Sequence, residues 1–395
     1  MKIASKAVHA GDRRKPAAHI PTTTPIYTAS TYCYETTEQL DKVFGEEIEG
    51  VSYSRYGNPT NDALEELLTA LEGGAGSLAT ASGMSAIQIA ITAALLDRRK
   101  SILAASALYG ATIKLLMQVL EPFGVEFRFV DICDLGAVQS AIDEMKPGCV
   151  FMETISNPLL RVGQIDRIAE MVRAADAALV VDNTFATPLM IRPLELGAHM
   201  VVHSLTKYLA GHGDVLGGAV ICDEDHLPVI RQLSRTYGPV LGPFESYMTM
   251  RGIKTFPLRM ERQCRNACRL ASWLAAHPGV ERVYYPADPN HPDAAVVSRM
   301  FPKDLYGAMV SFELKDAAKQ DVFRWMDGLK MVVRGTSLGD VHSMVLYPVM
   351  ASHRDISPKQ RERMGIRENL LRLSVGIEDF DDIAADLSGA FGTDA

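Results

Sequence analysis

Two hydrophobic rhythms alternate along the chain. In NDALEELLTALEGG (61–74), Leu64, Leu67, Leu68 and Leu71 fall on one helical stripe, and Gly73 ends it. Short apolar runs follow, and GSLATAS (76–82), SILAAS (101–106), VEFRFVD (125–131), CVFMET (149–154) and ALVVDN (178–183) predict strands. Between them SAIQIAITAALL (85–96), ATIKLLMQVLEPF (111–123), LGAVQSAIDEM (135–145) and QIDRIAEMVRAA (164–175) predict helices. This rhythm predicts an α/β fold with a mostly parallel central sheet covered by helices on both faces. Ligands in such sheets gather at the carboxyl ends of the strands.

Past residue 255 the rhythm changes. LRMERQCRNACRLASWLAAH (258–277) predicts a helix, and AMVSFEL (308–314) a strand. A smaller C-terminal α+β domain over 256–395 follows from this, after a larger domain over 61–255. The first sixty residues read as irregular, because Pro21 and Pro25 break helices there. Tyr27, Tyr32, Tyr34, Tyr53 and Tyr56 are too aromatic for a solvated tail. They predict an arm (1–60) that packs on something, such as another subunit.

Composition narrows the field. Of 395 residues, 47% are hydrophobic and 22% charged, ordinary globular values that exclude disorder. Lys plus Arg is 40 against 48 for Asp plus Glu, and this balance argues against a nucleic-acid partner. No apolar stretch reaches the length of about 18 residues that a membrane span needs, and MKIASKAVHAG lacks a signal peptide's apolar core. The six cysteines are scattered without a CxxC pair, so no metal site is expected. The expectation is a soluble protein of a reducing compartment, the cytoplasm.

The strand ends carry the candidate chemistry. Asp182 follows four apolar residues, where a carboxylate needs a partner. It is either a helix cap or the counter-charge of a protonated heterocyclic nitrogen. Lys207, in HMVVHSLTKYLAGHGD (199–214), follows another apolar strand. It is either solvated surface or a desolvated amine able to form a Schiff base. An Asp on a pyridinium nitrogen and a Lys in a Schiff base are the two groups that pyridoxal phosphate (PLP) requires. Gly83 and Met84 lie at a strand-to-helix turn whose N–H groups fit a phosphate, and the hydroxyls of Ser204 and Thr206 add donors. The bland reading of that turn is an ordinary cap. Tyr109 is either core or a ring stacked on the cofactor. Arg372 is either a solvent-facing strand residue or the anchor of a substrate carboxylate. The GAGSLA run (74–79) precedes a strand rather than following one, so it is not a dinucleotide loop.

These residues sit in longer motifs. They are YSRYGNPT (53–60), ATASGMSA (79–86), ALYG (107–110), ETISNP (153–158), VVDNTFATP (180–188), HSLTKYLAGHGD (203–214), RGIKTFPLRM (251–260), SLGD (337–340) and LLRLSVGIED (370–379). Together they make the chain resemble the Cys/Met-metabolism family of PLP-dependent enzymes, nearly end to end. The resemblance implies the type I, aspartate-aminotransferase-like fold and PLP as cofactor. It implies that Lys207 carries the cofactor and is the catalytic base, and that Asp182 pairs with the pyridine nitrogen. Tyr109 would stack on the ring and act as acid or base. Asn157 would bond the phenolic oxygen, and Gly83, Met84, Ser204 and Thr206 would hold the phosphate. Tyr53 and Arg55 would reach a neighbouring subunit's phosphate, in an assembly that is typically a homotetramer. Arg372 and Ser337 would take the carboxylate of an amino-acid substrate, with Tyr53 also at the substrate.

The family's subtypes differ at a few positions. Cystathionine-handling members usually have Glu before the carboxylate-binding Ser, and here Thr336 stands there. GHGD (211–214) and SLGD (337–340) are variants of methionine γ-lyases, but Ala111 replaces their usual Cys. Ser234-Arg235 replaces a Lys-Asp pair, YPVMASH (347–353) replaces HPASMTH, and His342 replaces a common Glu. The expected activity is a carbon–sulfur lyase that performs α,γ-elimination on a methionine-like amino acid. γ-Replacement on an O-acylhomoserine, or cystathionine synthesis, is the alternative. A PLP-binding regulator without catalysis is the rival of another class.

Overall fold

The computed structural model describes residues 1–11, 20–351, 354 and 358–392. Residues 12–19 of the expected arm, and Ser352 and His353 of the YPVMASH segment, lie outside the described residues.

The large sheet has seven strands in the order β1-β7-β6-β5-β4-β2-β3. They are β1 Gly76–Thr80, β2 Ser101–Ala105, β3 Glu126–Val130, β4 Cys149–Glu153, β5 Ala178–Asp182, β6 Met200–Ser204 and β7 Gly218–Cys222. From β3 to β6 all neighbours are parallel. β7 runs antiparallel to both β6 and β1, so the sheet is mixed. β1, β2, β4 and β7 are buried throughout, which is why β2, β4 and β7 read as near-continuous apolar runs without alternation.

The helix Pro59–Glu72 starts on the Asn58 side chain, which accepts from Thr60 N–H. Its leucine stripe is 0–1% exposed, and left-handed Gly73 (φ 77°) ends it. The 111–123 segment is not one helix. It forms an α turn (Gly110–Lys114), a π turn (Leu115–Leu120) and a 3-10 turn (Glu121–Phe123). Pro122 has no N–H with which to continue an α ladder, and left-handed Gly124 stops the chain. Nor is the N-terminal region wholly irregular. Ile3–His9 is helical and packs on helices Pro59–Glu72 and Phe256–Ala276. Thr37–Phe44 starts with a capping box between Thr36 and Gln39.

A second sheet follows, in the order β10-β11-β12-β9-β8. Its strands are β8 Val280–Tyr284, β9 Met309–Leu314, β10 Val333–Arg334, β11 Met344–Leu346 and β12 Leu370–Ser374. It has its own core around Phe312, Trp325 and Tyr347. The helix Phe256–Ala276 joins the two cores. Phe256, Met260 and Cys264 pack in the first, and Ala267, Leu270 and Leu274 in the second. This shared helix ties the second sheet to the strand ends of the first.

Candidate active site

Lys207 lies three residues past the end of β6, in a turn clamped from two sides. The Arg259 guanidinium donates to the carbonyls of Tyr208 (2.9 Å), Leu209 (3.1 Å) and Gly252 (2.9 Å). On the other side Gly339 (φ +74°) packs so closely that a Cβ there would lie 2.6 Å from Tyr208 N. Lys207 Nζ donates to Ser337 Oγ at 2.9 Å. Lys207 is therefore not solvated surface. Burial, aided by the Arg372 charge, pushes its amine down to about 8. It reaches the neutral, nucleophilic form at a far lower pH than an ordinary lysine.

Asp182 ends β5, and its Oδ1 accepts from Thr184 N–H at 2.9 Å, so the cap-like bond is present. Burial raises its carboxyl, against the Thr184 bonds and the His203 charge. Next to it, in register on β4, sits Glu153. Glu153 Oε1 accepts from Tyr109 N–H at 2.6 Å. Burial lifts Glu153 well above the usual carboxylate range, and the Asp182 charge adds to this. Sequence reading did not single Glu153 out. The signal was there, because CVFM before Glu153 matches ALVV before Asp182.

Tyr109 follows β2 and is 45% exposed, so its ring is not core. The helix Gly83–Leu95 begins nearby, with Ser82 Oγ accepting from Ser85 N–H. The N–H groups of Gly83 and Met84 fall in the first turn, where a helix supplies no partners. A Cβ on Gly83 would lie 3.0 Å from Ser204 Cβ, so the helix start abuts the end of β6. Ser204 N–H donates to Thr184 Oγ1 (2.9 Å), and Thr206 Oγ1 accepts from Gly217 N–H (3.1 Å).

Arg372 comes from β12 of the second sheet and is 3% exposed, so it does not face solvent. One of its terminal nitrogens donates to Asn157 Oδ1 at 2.9 Å, while its buried Nε has no partner among the described residues. Burial lowers the guanidinium to about 10. Such a group is poised for an anion. Tyr53 and Arg55 stand apart. Tyr53 is 44% exposed, and Arg55 donates to the Arg235 carbonyl and lies 4.8 Å over the Tyr56 ring.

The donor set fits PLP. A depressed lysine amine suits its aldehyde, a carboxylate at the next strand end suits a protonated ring nitrogen, and a glycine-bearing helix start suits its phosphate. The orphaned Arg372 Nε leaves a place for a second anion.

The model of the Cys/Met metabolism PLP-dependent enzymes matches residues 4–392. The chain belongs to this family. It is 39% identical to an L-methionine gamma-lyase of Fusobacterium nucleatum subsp. polymorphum, over 98% of this chain and 96% of that one. It is 38% identical to an O-succinylhomoserine sulfhydrylase of Pseudomonas aeruginosa, over 97% and 93%. The fold matches a cystathionine gamma-lyase from Lactobacillus plantarum complexed with L-serine, with a TM-score of 0.92 and 36% identity, over 100% of this chain and 99% of that one. A PLP-dependent enzyme of sulfur amino-acid metabolism is what this membership establishes, on the expected fold. None of the described helices is long and apolar enough to cross a membrane.

Proposed function

We propose that the protein is a carbon–sulfur lyase that carries out α,γ-elimination on a methionine-like amino acid, consuming one water and giving a thiol, ammonia and an oxoacid. The observation that carries this reading is the Lys207 amine, lowered to about 8 and held by Ser337 Oγ, with buried Arg372 as the neighbouring cation. When bound at Lys207, PLP supplies the sink for the electron pair left at the substrate Cα. Gly83, Met84, Ser204 and Thr206 would hold its phosphate, and Asp182 would oppose the charge on the ring nitrogen. The Tyr109 ring would stack on the cofactor ring, and the Asn157 amide would donate to the phenolic oxygen. Arg372 and Ser337 bind the substrate carboxylate, with Tyr53 beside the substrate. The Lys207 amine then takes the Cα proton, for which its lowered affinity suits it. For γ-elimination Lys207, having passed the Cα proton on, would take a second proton from Cβ, and the Tyr109 hydroxyl, the acid or base beside the leaving group, would give a proton to the departing sulfur.

The near-equal identities to the lyase (39%) and the sulfhydrylase (38%) support a second reading, γ-replacement on an acylated homoserine. Incubation with methionine, cystathionine and O-acetylhomoserine, with and without added thiol, separates the two. Oxoacid and thiol from methionine alone is the expected result. Reaction of only the acylated substrate, and only with thiol, would reverse the assignment. The intact set of Lys207, Asp182, Tyr109 and Arg372 argues against a non-catalytic regulator.

We further propose that the chain divides into an arm (1–60), a PLP-binding domain (61–255) and a C-terminal domain (256–395). The exposed Tyr53 and Tyr56 of the arm support a homotetramer of dimers in which Tyr53 and Arg55 reach a neighbour's phosphate. Free thiols at all six cysteines suit the cytoplasm.

A further inference from the structure

Glu153 links two of the residues the sequence pointed to, bonding Tyr109 and lying in register with Asp182. Its Oε1 accepts from Tyr109 N–H at 2.6 Å, and the Asn157 N–H faces its carboxyl and favours its charged form. Asn157 in turn holds Arg372 through its side chain at 2.9 Å. Parallel register places Glu153 directly beside Asp182, on strands that lie about 4.8 Å apart. Thus one side chain, itself 7% exposed, borders the expected ring-stacking, phenolic-oxygen, carboxylate-binding and ring-nitrogen positions.

Tyr109 has no strand neighbour to fix it, because it lies beyond the end of β2 and is the residue before the short helix Gly110–Lys114. Its backbone is held from the site side by Glu153. The charges facing the Glu153 carboxyl are Asp182 on β5 and Arg372 on β12. Two buried carboxylates side by side do not both ionise readily. Asp182 is needed as an anion opposite the ring nitrogen, and that leaves the proton with Glu153.

We propose that Glu153 is a positioning residue that acts as an uncharged acceptor, fixing the backbones of Tyr109 and Asn157 around the cofactor ring. This rests on the reading that places PLP between Lys207 and Asp182. Glu153 acts through Tyr109 and Asn157 and does not itself enter the reaction. A glutamine meets the same need, since its amide oxygen accepts from the Tyr109 N–H and it carries no charge. A leucine of similar size offers that N–H no acceptor.

The test compares Glu153→Gln and Glu153→Leu with the parent protein. The readouts are the PLP dissociation constant of the apoprotein, the pH midpoint of the visible band and the thermal midpoint. The parent is loaded first. A parent that binds no PLP sinks the functional reading itself, separately from this inference. With the parent loaded, Glu153→Gln is expected to bind PLP within about threefold of it and to keep the band's pH midpoint. Glu153→Leu is expected to bind at least about tenfold more weakly. Equal weakening in both variants, or none in either, overturns the proposal. A fall in the pH midpoint of Glu153→Gln by more than about half a unit also overturns it, because Glu153 would then act by charge. If Glu153→Leu does not fold, the Gln variant alone still decides through its affinity and its pH midpoint.

Discussion

The two halves of the candidate site are built by different means. At the ends of β4, β5 and β6, Glu153, Asp182 and the Lys207 turn are fixed by strand register and by buried hydrogen bonds. In the arm, Tyr53 and Tyr56 are 44% and 47% exposed, and Arg55 is engaged with Arg235 and Tyr56 of its own chain. The first half is drawn from one protomer's own strand ends. The second has side chains of the right chemistry without the burial that would make them count. Buried charges are expensive to leave unmatched, whereas exposed pairs contribute little. Single substitutions should therefore be severe at the strand ends and mild in the arm.

The largest contrast is expected at Lys207. Lys207→Ala should reduce oxoacid release by about 10³-fold or more and abolish the visible band. Activity near that of the parent would remove the strand-end half from the chemistry. Asp182→Asn comes next, with kcat lowered about 100-fold, because a neutral amide replaces the charge opposite the ring nitrogen. Arg372→Ala should raise KM for an amino acid by about 10- to 100-fold, the worth of a charge-assisted pair. If the loss falls on kcat instead, Arg372 does not anchor the carboxylate.

Arg55→Ala sharpens the arm's side of the comparison. Its PLP affinity should fall by about tenfold or less. Mixing this variant with Lys207→Ala and reassembling the oligomer should restore sites that carry both native residues. A mixture no more active than its parts would show that the arm serves no neighbour. The smallest effect is on stability. The unfolded chain keeps the Lys207 proton up to its ordinary 10.5, while the folded chain releases it near 8. The unfolded state binds more protons in that window, so apoprotein stability should rise with pH between about 8 and 10.5. Thermal midpoints of parent and Lys207→Ala across that range check the sign, since only the parent should carry this increment.

Legibility followed the same division. The apolar runs that became β2, β4 and β5 are visible because both their faces are buried. β7 is the same kind of apolar run, GAVIC (218–222), but it follows the Lys207 motif with no helix between, so the strand–helix rhythm does not point to it. The break at 115–123 was hidden because leucine and methionine spacing suits a helix until Pro122 intervenes. Prolines in the first sixty residues masked the Thr36-to-Gln39 capping box. Asp182 and Lys207 stood out as polar residues after apolar strands, and Arg372 because it interrupts one. Glu153 carried the same signature and was passed over as the end of a strand. Its bond to Tyr109 joins residues 44 positions apart, a juxtaposition that only the folded sheet creates.

The chemistry turns on which amine holds the cofactor. Borohydride reduction of the PLP-loaded protein, followed by peptide mapping, reads this directly. A single pyridoxyl adduct on Lys207, in the peptide containing SLTKYLAGHGD, is the predicted result. An adduct on a different lysine, or full turnover with no adduct at all, would contradict it.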